Sequence, residues 1–372
     1  MSVPELFQLI LINFLLLYIL FIFGKTEDCL PKPLQIVEPL SWFLVLSLLF
    51  SLSLYLNNCI NNAILLTNSF ICDDFSTFFK VLLCIVAAAA IALTIPAFKS
   101  DLSSEQLGFT NYEFLLLINL AILGMLCLIS SYNFLTLYLS IELQSLSFYL
   151  LACMRSRSEF SAEAGLKYFI LGAFSSAILL FGITLIYGSV GTIYFDDIAA
   201  LVDYSVFLNC YDDNSNITPH ALAHAGFELP LAAASSSNEK TWFILLSFGL
   251  MCVCISLLFK LAAVPFHIWA PDVYEGSPMS ITAFFAITAK IAALAVLARF
   301  IILTGQLLID PILNNVAIAS LIVGTLSAMR QVKIKRLIAF SGISNVGWFL
   351  MGLCCGNLDA TILHLTVYIV LS

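Results

Sequence analysis

Apolar runs of about twenty residues recur along this chain, and nothing constrains its fold more. A run of about 20 apolar residues is long enough to cross the hydrocarbon core of a bilayer. Eleven are read here: 6–24, 38–58, 76–98, 113–131, 133–154, 163–188, 242–264 (or on to 270), 279–304, 311–329, 336–354 and 358–372. In hydrocarbon no water can satisfy the backbone, so each such run has to close its hydrogen bonds internally as a helix. The expected fold is therefore an all-α polytopic membrane protein with about eleven transmembrane helices. Composition agrees: of the 372 residues, 61% are hydrophobic and only 10% charged, against about 25% charged in soluble domains.

The loops are short except for residues 189–241, a polar segment containing YDDNSNITPH and AAASSSNEK that reads as an extramembrane excursion. Basic residues orient the spans, because loops on the cytoplasmic-type face hold an excess of Lys and Arg. Of the fifteen Lys and Arg, nine follow odd-numbered spans: Lys25, Lys32, Lys99, Arg155, Arg157, Arg330, Lys333, Lys335 and Arg336. Loops on the other face hold only Lys240. The bias puts the N-terminus and loop 189–241 on the outer side. Lys80 and Arg299 fall near helix ends on that side, where long cationic side chains snorkel toward water. The last run, from Leu358 to Ser372, stops without a polar flank and is short for a full span. The N-terminus, MSVPELFQ, has no basic region ahead of the first run, so that run reads as a span and not a cleaved signal.

Three lysines remain, all inside apolar runs: Lys167, Lys260 and Lys290. Burying an isolated charge at the bilayer centre costs about 2.5–3.5 kcal/mol on insertion scales, so intramembrane charges point to function. Two of these lysines bracket FKLAAVPFHIWAPDVYEGSPMSITAFFAITAK, residues 259–290. Pro265 follows Lys260 by five residues and cannot continue a helix ladder. A helix broken at membrane depth is tolerated where it lines a polar cavity. Lys260 and Lys290 are thus candidates for a proton path. Glu142, near the middle of the fifth span, reads either as a protonated structural glutamate beside Gln144 or as a carboxylate paired with a lysine of another helix. Lys167 follows Glu163 by four residues, the spacing of a pair on one helix face, and reads either as that snorkelling pair or as part of the path. His267 is a candidate relay or a capped interfacial histidine, and His364 reads as a packed histidine.

Other chemistries find no residues. No CxxC pair occurs among the eleven cysteines, so no zinc or iron–sulfur site is suggested. There is no phosphate-binding loop, dinucleotide turn or nucleophile elbow. A net charge of −8 argues against nucleic-acid binding. Gly165, Gly172, Ala173, Ser175 and Ser176 form a small-residue surface of the kind that lets membrane helices approach closely.

The stretch FKLAAVPFHIWAPDVYEGSP resembles the signature of the antiporter-like subunits of respiratory NADH dehydrogenase, complex I. IELQSLSFYLLA, EAGLKYFILGAFSSAILLFG and KIKRLIAFSGISNVGW are similar to its subunit 2 branch, mitochondrial and bacterial. The resemblance covers about residues 113–356. It implies that Glu142 occupies the position of a glutamate that pairs with a lysine, that Lys167 and Lys260 occupy lysine positions around it, and that Lys290 belongs to a central hydrophilic axis. These would form one proton-translocating unit driven by quinone reduction elsewhere. NADH, FMN, iron–sulfur clusters and ubiquinone would then belong to other subunits, and this chain would bind no cofactor or metal.

The resemblance also implies an inverted-repeat fold: N-terminal helices over 1–112, a first repeat over 113–304, and an incomplete second repeat over 305–372. The family core has about fourteen helices, so a companion polypeptide is expected to supply the remainder of the second repeat. Asn345, in SGISNVGW, stands where the family often has a histidine; an amide hydrogen-bonds but carries no proton. The implied location is the mitochondrial inner membrane, among other membrane-arm subunits and lipid, with the N-terminus on the intermembrane-space side. Two other readings are a subunit of a multisubunit sodium–proton antiporter and a complex I subunit that no longer pumps.

Overall fold

The computed structural model describes residues 5, 7–11, 14, 33–57, 63–65, 68–103, 111–155, 158–200, 202, 239–304 and 306–371. Most of the expected first span, 6–24, and most of loop 189–241 lie outside the described residues. Eleven named helices follow: α1 (Pro33–Leu56), α2 (Asp74–Ser103), α3 (Asn111–Ile129), α4 (Phe134–Ala152), α5 (Glu159–Val190), α6 (Glu239–Leu261), α7 (Trp269–Gly276), α8 (Met279–Thr304), α9 (Gln306–Ala328), α10 (Ile334–Cys354) and α11 (Leu358–Leu371). Ten correspond one for one to the second through eleventh apolar runs, and α7 is extra. Among the described residues seven helices are long and apolar enough to cross a membrane, with three shorter apolar helices beside them.

The chain is a multi-pass helical membrane protein. Its helices are apolar on nearly every face, because one side meets lipid and the other meets neighbours. α8 is the central element: of its candidate span, Met279–Ile302, 83% is buried, and it touches α2, α3, α6, α9, α10 and α11. Close approach needs small residues. Gly182 of α5 meets Gly249 of α6, where an added Cβ would stand 2.8 Å from a backbone oxygen.

Two features have no counterpart in the sequence reading. Ala63–Leu65 (β1) and Phe70–Cys72 (β2) form an antiparallel hairpin turned through Asn68 at φ 61°. It caps one end of the bundle, where Phe70 bridges Ser131 and Asn133 bridges Tyr194. The second is the burial of Lys80 and Arg299, which do not snorkel. Lys80 is 1% exposed, with its Nζ 2.6 Å from Glu5 Oε1. Arg299 donates to Asp73 at 3.0 Å and to the Ser131 carbonyl at 3.2 Å. Both find acidic or carbonyl partners from other elements, so neither has to reach for water.

Candidate functional site

The seventh run does not continue to residue 270. α6 ends at Leu261, and the chain leaves it through Ala262, whose φ of 60° is left-handed. That conformation is strained for a residue with a Cβ, by about 1–3 kcal/mol, and such strain collects at functional sites. Seven residues later the short helix α7 begins. Its Trp269 donates its indole N–H to the Phe259 carbonyl at 3.1 Å, supplying a partner to a carbonyl at the end of α6.

Lys260, the penultimate residue of α6, sits beside this break. Its ammonium is shut off from solvent and has no hydrogen-bond partner among the described residues. It lies 6.0 Å from the ring centroid of Tyr149 on α4, and the field of Glu142, two turns earlier on α4, reaches it. Oε1 of Glu142 is likewise buried without a hydrogen-bond partner among the described residues. No ion pair or hydrogen bond joins the two.

An internal cavity of about 30 Å³ connects the lysines. Lys260, Lys290, Ser145, Gln144 and Tyr274 supply its polar lining. One water needs about 10–15 Å³ measured this way, so there is room for about two. The volume suits water and is far too small for a quinone or a flavin.

Lys290, on α8, is 5% exposed. Its Nζ donates to the Tyr368 hydroxyl at 3.0 Å, and that hydroxyl donates to the Ala286 carbonyl at 3.0 Å. Tyr368 comes from α11, the last helix. Opposite stands Gly342 of α10, where an added Cβ would lie 2.3 Å from Nζ. The obstructed atom is the tip of a flexible side chain. Gly342→Ala is therefore expected to leave the subunit assembled but push the Lys290 ammonium off Tyr368. A charge-assisted hydrogen bond is worth about 1.5–3 kcal/mol, so any proton transfer that uses Lys290 should fall about tenfold or more. Proton uptake by vesicles holding the assembled variant, set against its amount by immunoblot, measures this.

Lys167 does not join this cavity. It is 45% exposed and pairs with Glu163 at 2.8 Å, one turn back on α5, and with Asp272 of α7 at 3.0 Å. Around it lies an open cleft of about 210 Å³ containing Asp272, Glu275, Lys333 and Arg336. Arg336 donates to Asp272 at 3.1 Å and to Glu275, and Lys333 also donates to Glu275. The hydrogen bond from Lys333, helped by Arg336, holds the Glu275 carboxyl below its ordinary value. His267 is half-buried, with its ring edge toward Phe340 at 6.5 Å, and is not in the cavity wall. Asn345 donates its amide to the Ser341 carbonyl at 2.9 Å, one turn back on its own helix. His364 packs edge-on against Phe349 at 5.1 Å.

Sequence reasoning missed Tyr368 and Tyr149, which no local pattern distinguishes from other membrane tyrosines. It noted Asp272 and Glu275 within the 259–290 stretch but gave them no role.

The chain thus brings together a helix break and two buried lysines around one small cavity. Residues 131–372 match the family model described as NADH:quinone oxidoreductase/Mrp antiporter, TM. This chain belongs to that family. It is 36% identical to NADH-ubiquinone oxidoreductase chain 2 of Marchantia polymorpha, over 99% of this chain and 69% of that protein. It is 36% identical to NADH-quinone oxidoreductase subunit N of Rhodobacter capsulatus, over 91% of this chain and 63% of that protein. Its fold matches a chain in respiratory complex I from Thermus thermophilus with a TM-score of 0.71 and 25% identity, covering 98% of this chain and 67% of that one. The chain thus spans about two thirds of the length of these relatives.

Proposed function

We propose that this chain is a core membrane-arm subunit of NADH:ubiquinone oxidoreductase in the mitochondrial inner membrane, and that it translocates protons coupled to quinone reduction in other subunits. The observation that carries the reading is the cavity shared by Lys260 and Lys290, with room for about two waters. A lysine in a dry protein interior is expensive to keep charged unless it has a partner. Lys260 has Glu142 within its field but not bonded to it. A small approach of Glu142 favours the charged form, and a small retreat favours release. The released proton has water and then Lys290 to go to, once the Lys290 ammonium, held by its hydrogen bond to Tyr368, has passed its own proton on and stands as a neutral amine.

In this reading Glu142, Lys260 and Lys290 form the path, and Lys167 is the cation of the entry side. His267 is kept as a candidate relay. The chain acts as a translocase component with no redox step of its own; NADH, FMN, iron–sulfur clusters and ubiquinone are handled by neighbouring subunits. The nine-to-one loop bias in Lys and Arg supports an orientation with the Lys333–Arg336 face in the matrix and the hairpin face in the intermembrane space. The division into 1–112, 113–304 and 305–372 goes with the same reading.

The test is native electrophoresis of mildly solubilised membranes, with an antibody to loop 189–241, an NADH-activity stain and mass spectrometry of the band. The chain is expected in a very large NADH-active band with other membrane-arm subunits. A companion polypeptide carrying helices from the part of the relatives that this chain does not span is sought in the same band. Migration elsewhere, together with sodium-dependent proton exchange without NADH oxidation, would make it an antiporter subunit instead.

A further inference from the structure

We infer that Asp272 and Glu275 are positioning residues: they form an ionic latch that holds α7 as the lid of the Lys260–Lys290 cavity. The inference rests on the proton-path reading and assigns that path its gate.

The helix α7 has only eight residues and lies between two interruptions of helix, after Leu261 and at Ser277. On its own so short a segment is not a stable helix. Its position must come from tertiary ties, and they are of two kinds. The first is aromatic and faces inward. Trp269 and Tyr274, 7% and 4% exposed, both line the cavity. Trp269 stacks on Tyr168 with centroids 4.7 Å apart, and Tyr168 meets Tyr149 edge-on at 4.8 Å. Tyr149 is the ring beneath Lys260. A continuous aromatic column therefore runs from the lid to the buried ammonium.

The second kind is ionic and faces the open cleft. Both oxygens of Asp272 are engaged, and by different helices: Oδ2 accepts from Lys167 of α5 at 3.0 Å, and Oδ1 accepts from Arg336 of α10 at 3.1 Å. Glu275 accepts from Lys333 and Arg336. Lys335 adds a hydrogen bond to the Ser277 carbonyl at 2.6 Å, just past the end of α7. Gly276 lets this end seat tightly against α5, where a Cβ would meet that of Ala164 at 2.4 Å.

Isolated surface ion pairs contribute little, whereas networks of them contribute more. Here each carboxylate of α7 has two cationic partners, and losing Asp272 loosens α7 from both α5 and α10. Lys167 and Tyr168 are adjacent in α5, one on the latch and one in the aromatic column. A change at the cleft thus reaches the cavity wall through a single helix turn. Release of the latch would tilt Trp269 and Tyr274 away and let water from the basic face reach Lys260.

The test uses the assembled complex. Asn at position 272 keeps one acceptor and turns an N–H₂ group toward a cation. Hydrogen exchange followed by mass spectrometry should then show amides of 262–278 exchanging about tenfold faster or more in Asp272→Asn. Exchange in α3 and the first half of α8 should not change. Asp272→Glu, which keeps both acceptors, should restore protection. If Asp272→Asn does not assemble, Lys167→Met removes one arm of the latch from the other side and should give the same local acceleration. Unchanged exchange in 262–278 in assembled Asp272→Asn or Lys167→Met overturns the latch. Exchange does not depend on proton transfer, so this outcome leaves the proton-path reading standing. Conversely, full proton yield without Lys260 would overturn that reading while the exchange result stands.

Discussion

Lys260→Met is expected to cut proton transfer through this subunit by about a hundredfold, the usual scale for a positioned proton-transfer group, while leaving it assembled. Methionine matches most of the lysine stem and carries no charge. It should fill the space between Tyr149 and the cavity without leaving a buried cation to satisfy. Because the Lys260 ammonium has no hydrogen-bond acceptor among the described residues, its loss breaks no hydrogen bond, and Glu142 loses only a cation that it does not touch. Lys260→Arg sharpens the test. A guanidinium keeps the positive charge but does not deprotonate in proteins. If Lys260 serves only as a fixed charge opposite Glu142, arginine rescues. If it hands protons on, arginine fails as methionine does. The measurement is protons translocated per NADH oxidised, in vesicles normalised for assembled complex. A full proton yield in the methionine variant sinks the path.

How far the sequence discloses this architecture follows from what hydrocarbon demands. An apolar run in hydrocarbon has to become a helix, so among the described residues α1 to α6 and α8 to α11 lie close to where the runs place them. The break after Lys260 was also legible, because a proline five residues past an intramembrane lysine leaves few alternatives. What stayed hidden depends on which distant residues meet. Asp272 lies 105 residues from Lys167 and 64 from Arg336, and nothing local announces either contact. Tyr368 holds Lys290 across 78 residues, and nothing in the last run marks it out from other membrane tyrosines. Lys167 reads from its spacing either as a snorkelling pair with Glu163 or as part of the path. In the fold it is half in solvent and paired twice, while Lys260 and Lys290 are enclosed around one cavity. The same blindness explains Lys80: closeness to a helix end says where a side chain can reach, not whether another element covers it.

Glu5→Gln is expected to destabilise the N-terminal part of the bundle by about 3–5 kcal/mol, the cost of removing one partner of a buried pair. Glu5 and Lys80 are each 1% exposed and 2.6 Å apart, and Ser130 of the α3 end donates to the same Glu5 oxygen at 3.3 Å. The Tyr55 ring lies 5.6 Å from the Lys80 ammonium. The pair therefore ties the start of the chain to α2 and α3 across 75 residues. Glutamine keeps the shape and one acceptor but leaves the lysine charge uncompensated in a dry interior. The double variant Glu5→Gln, Lys80→Met removes that charge as well, and buried pairs replaced by apolar groups of similar size are often close to neutral. The double variant should thus recover most of what the single one loses. The check is the thermal midpoint of the detergent-solubilised complex, followed by release of this subunit from the native band. A single variant as stable as the parent would mean that Lys80 finds another anion. A double variant as unstable as the single one would mean that the loss comes from Glu5 packing, with no part played by the stranded charge. Neither result touches the path from Lys260 to Lys290, because Glu5 and Lys80 share no lining residue with its cavity.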